Sequence, residues 1–171
     1  MAKRTAILFV CLGNICRSPL AEAAFRTVAE REGLDVTIDS AGTGNWHAGG
    51  PPDRRAQALA KRYGIDIAGY RARQVTREDF SRFSHIIALD EKNLAALRAM
   101  RPEDARAEIT LLLDHVEGRA GEAVADPYFG DDSGFEITWA DVTSGAEALA
   151  LRLRAAPSLP DEQADPDGRE P

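Results

Sequence analysis

The sequence predicts a single α/β domain: a four-stranded parallel sheet flanked by helices on both faces, with an anion-binding loop between strand 1 and helix 1. Short apolar runs rich in branched residues alternate with longer stretches of helical period, which is typical of strand-helix-strand units. The 171 residues are 44% hydrophobic and 29% charged, so one hydrophobic core can close by itself. A cysteine and an arginine separated by five residues follow the first apolar run and mark the loop.

Four apolar runs are the predicted strands. They are Thr5 to Cys11, Val36 to Ser40, His85 to Leu89 and Ile109 to Leu113. The first helix begins near Ser18, a suitable cap, has Pro19 at its first helical position and ends at Gly33. The other predicted helices are Asp53 to Tyr63 before Gly64, Thr76 to Phe83, Glu91 to Met100 and Gly134 to Ala155.

The last helix is amphipathic. Its predicted inward positions are Ile137, Val142, Ala146, Leu149 and Leu153. Gly145 is expected to weaken it modestly. Residues 1–156 form the predicted domain, and residues 157–171 are expected to be a disordered tail, because they are rich in proline and acidic residues with almost nothing apolar to bury.

Charge and hydropathy exclude two classes of partner. The formal net charge of -7 and the pI near 5.0 provide no overall basic field for nucleic acid backbones. No apolar run approaches the roughly 20 residues of a membrane helix, and the stretch Ala6 to Val10 is too short for a signal-peptide core. We therefore expect a cytoplasmic protein that binds neither nucleic acid nor membrane.

Two cysteines, Cys11 and Cys16, lie five positions apart. A bridge between them would close a very small loop and would be a poor structural staple. Metal binding is disfavoured because the three histidines, His47, His85 and His115, are scattered along the chain. The remaining interpretation of the pair is a reactive thiol with a second thiol beside it.

The loop after the first strand suits phosphate chemistry. Backbone N–H groups and the start of a helix form an anion cradle, and Arg17 adds a planar fork that matches two phosphate oxygens. The same groups favour the thiolate of Cys11, which can attack a phosphate ester and form a phosphocysteine. Ser18 could donate a hydrogen bond to the sulfur. From the spacing alone, a buried end-of-strand Cys11 and a surface Arg17 remain an open alternative.

The segment Leu8 to Glu22 resembles the signature of the low-molecular-weight protein tyrosine phosphatases. The resemblance extends, in the expected order, to residues 39–43, 51–53, 72–74, 90–94 and 126–128. It implies hydrolysis of phosphotyrosine in proteins through a phosphocysteine, inhibition by phosphate-like oxyanions, a cognate tyrosine kinase as a partner, and no cofactor. Charge on the transferring phosphoryl group would be met by Arg17 and backbone dipoles.

The resemblance also implies roles for individual residues. Cys11, Arg17 and Asp126 are the catalytic residues, with Asp126 as general acid and base, although an ordinary Asp-Pro turn would look the same in sequence. The expected substrate-binding residues are Leu12, Gly13, Asn14, Ile15, Cys16, Ser18, Trp46 and Tyr128. Asn14 is expected to hold the loop with Ser40 as its hydrogen-bond partner. Phe129 is either a pocket wall or a packed loop aromatic.

One departure and three rivals stay open. Tyr70 stands where many relatives carry histidine, so the support of the loop is undecided. An arsenate reductase on this fold would need further cysteines, and none follows Cys16. A protein arginine phosphatase carries threonine where Ile15 stands, and a non-enzymatic phosphate-binding module would not need Cys11. Cys16 is expected to trap an oxidised Cys11 as a reversible disulfide, or else to be a buried packing residue.

Overall fold

The structure is a computed structural model that describes residues 5–155. Its sheet contains β1 (Ala6–Cys11), β2 (Thr37–Gly42), β3 (His85–Ala88) and β4 (Glu108–Leu111). Its helices are α1 (Arg17–Glu32), α2 (Arg54–Arg62), α3 (Asp79–Arg82), α4 (Glu91–Met100) and α5 (Asp132–Ala155), with a 3₁₀ helix at Leu112–His115. All strand pairs are parallel, in the order β2-β1-β3-β4. The predicted fold class is confirmed.

Helices cover both faces of the sheet, and β1 lies at its centre. Ile7 and Phe9 face the core formed with α1, α2 and α5, whereas Leu8 and Val10 face the core formed with α3 and α4. All six residues of β1 are buried, as expected for a central parallel strand. Its last residue, Cys11, therefore emerges at the carboxyl edge of the sheet, where ligands of open α/β folds bind.

The start of α1 differs from the prediction. Cys16 occupies the cap position without a capping hydrogen bond, and α1 begins at Arg17, so Ser18 does not cap the helix. Its hydroxyl instead faces the sulfur of Cys11 at 3.0 Å. The predicted end is confirmed, because Gly33 adopts the left-handed conformation with a φ of 69°.

The cap of α2 is confirmed, since the Asp53 side chain accepts a hydrogen bond from the backbone of Arg55. The fourth strand is shorter than predicted, because the chain turns into the 3₁₀ helix at Leu112. The Thr76 prediction is half correct: the Asp79 carboxylate accepts from the Thr76 N–H, but the helix itself covers only Asp79–Arg82.

The helical phase of α5 corrects one predicted core residue. Ile137 is 59% exposed. The buried positions form one helical stripe at spacings of three and four and are Phe135, Thr138, Trp139, Val142, Gly145, Ala146, Leu149 and Ala150. Ile137 lies about 200° around the helix from Phe135, on the solvent side. A Cβ at Gly145 would overlap the Leu112 side chain, so this glycine permits close packing of α5 on the 3₁₀ helix.

Residues 157–171, the predicted tail, lie outside the described part of the chain. Within residues 5–155, no helix combines the length and apolar character needed to cross a membrane.

Candidate active site

Residues 12–16 link β1 to α1 and wrap around the sulfur of Cys11. Asn14 adopts a left-handed φ of 60°, and its backbone N–H lies 3.3 Å from the Cys11 Sγ. The loop also lies directly against the end of β2, where a Cβ on Gly42 would come within 2.7 Å of the Leu12 carbonyl oxygen. The close approach of two backbones thus sets the loop shape, and an inward amide favours negative charge on the sulfur.

Cys11 lies at the floor of a cavity of about 230 Å³ and is only 3% exposed. The cavity is lined by Cys11, Leu12, Gly13, Ile15, Cys16, Arg17, Trp46, His47, Asp126, Tyr128 and Phe129. The structure therefore brings together most of the predicted site residues, which come from three separate segments, residues 11–17, 46–47 and 126–129. Asn14, Ser18 and Ser40 lie behind this lining, in the support of the loop.

The guanidinium of Arg17 is buried and held from two sides. Its Nη1 donates to Asp90 Oδ2 at 2.7 Å and to the Val124 carbonyl at 2.9 Å. Its Nη2 lies 3.6 Å from the Asp126 carboxylate. This geometry excludes the alternative of a surface arginine, and it places the Asp126 carboxylate beside the Arg17 guanidinium.

Asp90 contacts a predicted site residue, and sequence reasoning missed this contact. Its Oδ1 caps α4 by accepting from the Asn93 N–H, while its Oδ2 holds Arg17. Its position directly after β3, at the carboxyl edge of the sheet, was the available signal. One carboxylate therefore both caps a helix and holds the guanidinium of Arg17.

A chain of hydrogen bonds with a defined direction runs behind the loop. Ser40 donates to Glu22 at 2.7 Å, so its oxygen is free to accept from the Asn14 Nδ2 at 3.0 Å. The same Nδ2 donates to Ser18 at 2.7 Å. The Ser18 hydroxyl lies 3.0 Å from the Cys11 sulfur and 3.5 Å from the Ala41 carbonyl, and it is the donor to the sulfur when Cys11 is a thiolate, which has no hydrogen of its own. The Oδ1 of Asn14 accepts from the Arg73 N–H and fixes the orientation of the amide. The chain thus ends in a donor aimed at the sulfur.

The chain of hydrogen bonds ends at the carboxylate of Glu22, which lies near Arg26 and Tyr70. The carboxyl is 5% exposed, and burial raises its pKa even though Ser40 and Arg26 donate hydrogen bonds to it. Arg26 supplies the positive charge from one turn along α1, through Nε at 2.9 Å. Burial also raises the pKa of Tyr70, and the negative charge of Glu22 adds to that effect. At this position the cationic partner of Glu22 is therefore Arg26, with Tyr70 as a neutral neighbour.

The raised pKa of Glu22 makes stability depend on pH. Above the ordinary glutamate value of 4.5 the unfolded chain releases the proton first, so this carboxyl lowers the free energy of unfolding as pH rises toward its folded pKa. We expect wild type to lose more stability than Glu22→Gln between pH 4.5 and neutrality, by about 1.4 kcal/mol for each pH unit that separates the folded pKa from 4.5. Urea unfolding of both proteins across this range measures the difference, and parallel curves would contradict it.

Asp126 begins an Asp-Pro turn, and its carboxylate also faces the cavity. Its Oδ1 accepts from the Tyr128 N–H at 3.0 Å, while its Oδ2 faces Arg17. Arg55 braces the following residues by donating to the carbonyls of Tyr128 and Gly130. Asp126 can therefore both stabilise the Asp-Pro turn and present a carboxyl group to the cavity, as the predicted general acid requires.

Trp46 and His47 form another part of the cavity wall. A Cβ on Gly44 would overlap the Trp46 ring, and a Cβ on Gly13 would lie 3.1 Å from His47 Cδ2, so the two glycines make room for these side chains. In the sequence analysis His47 appears only among the histidines tested as metal ligands, and its place in the cavity wall was not predicted. Its adjacency to Trp46 was the available signal.

Cys16 lines the same cavity and is free and buried. Burial raises the pKa of its thiol strongly, and the negative charge of Asp53 adds to the effect. The two cysteines of the loop are therefore in different environments: Cys11 receives hydrogen-bond donors, whereas Cys16 stays a protonated thiol near neutral pH.

Known phosphatases resemble this chain in sequence and fold. Residues 6–159 match the family model of the low molecular weight phosphotyrosine protein phosphatases. The chain is 42% identical over 156 residues to the low molecular weight protein-tyrosine-phosphatase YfkJ of Bacillus subtilis, covering 90% of this chain and 99% of that protein. The crystal structure of YfkJ aligns with a TM-score of 0.83 at 41% identity, over 90% of this chain and 96% of that one.

Two further solved structures are similar. A protein tyrosine phosphatase from Entamoeba histolytica aligns with a TM-score of 0.83 and 34% identity, covering 88% of this chain and 97% of that one. The Drosophila arginine phosphatase aligns with a TM-score of 0.82 and 31% identity, over 90% of this chain and 98% of that one. The shared fold therefore accommodates more than one phosphorylated amino acid.

Proposed function

The chain belongs to the low molecular weight phosphotyrosine protein phosphatase family and is a protein tyrosine phosphatase, and we propose that Cys11, Arg17 and Asp126 are its catalytic residues. The observation that carries this proposal is their convergence on one cavity, with the sulfur at the floor and the carboxylate beside the guanidinium. A nucleophile, a fixed phosphate ligand and an acid within one pocket are the parts that phosphate monoester hydrolysis needs.

In the first step the Cys11 thiolate attacks phosphorus, and the bond between phosphorus and the tyrosine oxygen breaks. Arg17 and the loop amides hold the phosphoryl oxygens, while protonated Asp126 gives its proton to the departing phenolate. The phosphoryl group now resides on sulfur.

In the second step Asp126, now a carboxylate, takes a proton from water as the water oxygen attacks the phosphocysteine. The bond between sulfur and phosphorus breaks, and inorganic phosphate leaves. The Ser18 hydroxyl, 3.0 Å from the sulfur, stabilises the thiolate that is released. Phosphate, vanadate and arsenate are expected to compete with substrate, because they occupy the same anion cradle.

Selectivity for phosphotyrosine is assigned to the pocket walls. Ile15, Trp46 and Tyr128 line the cavity with apolar surface, which suits a flat aromatic ring better than a guanidinium group. We expect kcat/KM for a phosphotyrosine peptide to exceed that for the matched phosphoarginine peptide by on the order of 10-fold or more. Faster hydrolysis of the phosphoarginine peptide would assign the chain to the arginine branch instead.

The setting of the enzyme is part of the proposal. A catalytic thiol and a second free thiol in one loop need a reducing compartment, which supports a cytoplasmic location. The substrates are phosphotyrosine proteins, and a cognate tyrosine kinase would supply them. Capture of phosphoproteins by a Cys11→Ser variant tests this partner set.

Cys16 is proposed to protect the nucleophile from oxidation. Peroxide converts the Cys11 thiolate to a sulfenic acid, and the Cys16 thiol attacks that sulfur, which forms a disulfide and releases water. We expect Cys16→Ser to recover a much smaller fraction of its activity than wild type when peroxide treatment is followed by dithiothreitol. Each protein is compared with its own untreated sample, and equal recovery would remove this role from Cys16.

A further inference from the structure

The mouth of the catalytic cavity carries a concentration of exposed apolar side chains. Within residues 5–155, the large apolar side chains with marked exposure are Leu12, Trp46, Tyr63, Tyr128, Phe129, Ile137 and Leu151. Four of these seven line the one cavity that holds Cys11. Trp46 is 70% exposed and Phe129 is 91% exposed. A contiguous exposed apolar patch is a feature that monomeric proteins reserve for binding.

The rings at this mouth are held in place. Trp46 lies over the backbone of Gly44, where a Cβ would overlap the ring. Phe129 meets Tyr128 edge to face, with 4.9 Å between ring centroids. Arg55 holds the Tyr128 carbonyl at 2.9 Å and lies 5.6 Å from the Tyr128 ring centre. The side chains of the patch are thus positioned before a ligand binds. Phe129 is held by its contact with Tyr128, since it is itself almost fully exposed.

Phosphotyrosine itself does not account for the outer part of the patch. The phosphate belongs at the floor, where Cys11 and Arg17 are each 3% exposed, and the aromatic ring fits between the inner walls. Phe129 lies at the outer rim. A phosphotyrosine in a protein carries a residue on either side, and its backbone must cross this rim to deliver the side chain to the floor.

The charges near the cavity mouth favour substrates in which apolar, not acidic, residues flank the phosphotyrosine. Arg17, the arginine that lines the cavity, is buried and engaged with Asp90. Arg55, beside the Tyr128 ring, is paired with Asp53. Asp131 and Asp132 follow Phe129 closely and are exposed, and the chain as a whole carries a net charge of -7. Acidic side chains beside the phosphotyrosine would meet repulsion here.

We propose that Leu12, Trp46 and Phe129 form a docking subsite for an apolar or aromatic residue adjacent to phosphotyrosine in the substrate protein. The inference rests on the proposed function and refines it from phosphotyrosine proteins to those with an apolar flank. Such a flank buries apolar surface against rings that are already ordered, so it adds affinity without the cost of ordering those rings.

The test compares three phosphotyrosine peptides that differ only in the residues beside the phosphotyrosine: phenylalanine, alanine or aspartate. We expect wild type to give the highest kcat/KM with phenylalanine and the lowest with aspartate, with the extremes about 10-fold apart or more. Phe129→Ser should remove most of this spread, and para-nitrophenyl phosphate, which has no flank, should be hydrolysed within about 2-fold of wild type. Leu151→Ser, which alters an exposed apolar residue toward the other end of α5, is the matched control and should keep the spread.

Other outcomes would overturn the subsite. Equal kcat/KM for the three peptides with wild type would remove it while leaving the phosphatase intact, and so would an equal loss of peptide and para-nitrophenyl phosphate turnover in Phe129→Ser. A change from dimer to monomer in Phe129→Ser with unchanged peptide selectivity would assign the patch to self-association. Failure of wild type to hydrolyse para-nitrophenyl phosphate would instead overturn the proposed function itself.

Discussion

Replacement of Cys11 by serine is expected to lower turnover of para-nitrophenyl phosphate by on the order of 10⁴-fold or more. The serine hydroxyl is not ionised near neutral pH, so it cannot replace the thiolate as nucleophile. Serine is nearly the same size as cysteine, and it can keep the contacts with Ser18 and the Asn14 N–H. The fold and the phosphate cradle should therefore survive.

Cys16→Ser is the matched control for this prediction, because Cys16 is a second buried cysteine of the same loop. It should retain most of its activity under reducing conditions. Circular dichroism and binding of vanadate establish that Cys11→Ser is folded and keeps its anion site. Unchanged turnover by a folded Cys11→Ser would exclude the cysteine mechanism.

Replacement of Asp126 by asparagine is expected to slow hydrolysis of substrates with poor leaving groups by on the order of 10²-fold or more. Asparagine cannot protonate the leaving phenolate, although its side-chain oxygen can still accept from the Tyr128 N–H. The loss should be smaller for para-nitrophenyl phosphate, whose leaving group needs less protonation. A series of aryl phosphates with leaving groups of increasing basicity measures this trend.

Asp131→Asn provides the control, because Asp131 lies in the same segment and is exposed, with its carboxylate bound to Ser133. Its rates should follow those of wild type across the series. Rates of Asp126→Asn that match wild type for every leaving group would remove Asp126 from the mechanism.

The features predicted from sequence are those with local signals. A run of buried branched residues marks β1, Gly33 supplies the left-handed residue that ends α1, and Asp53 caps α2 through its own side chain. Cys11 and Arg17 belong to this group, since strand, loop and helix start lie within one short segment.

The features that sequence reasoning missed depend on contacts between distant parts of the chain. Asp90 binds Arg17 across 73 positions, and the Val124 carbonyl binds it across 107. The Val124 carbonyl has no sequence pattern of its own, and the position of Asp90 after β3 indicates the edge of the sheet but not its partner Arg17. Glu22 and Arg26 form an i,i+4 pair that resembles a solvent-exposed helix face, yet Glu22 is buried because Ser40 and Tyr70 lie over it.

The most direct test of the account is to locate the phosphoryl group during turnover. Asp126→Asn should accumulate the intermediate with para-nitrophenyl phosphate, because this substrate loads the sulfur readily while activation of the water is impaired. After an acid quench and proteolysis, mass spectrometry should find one phosphoryl group on the peptide that contains Cys11, and none in Cys11→Ser. Continued turnover with no phosphoryl group on Cys11, or with the group on another residue, would contradict the account.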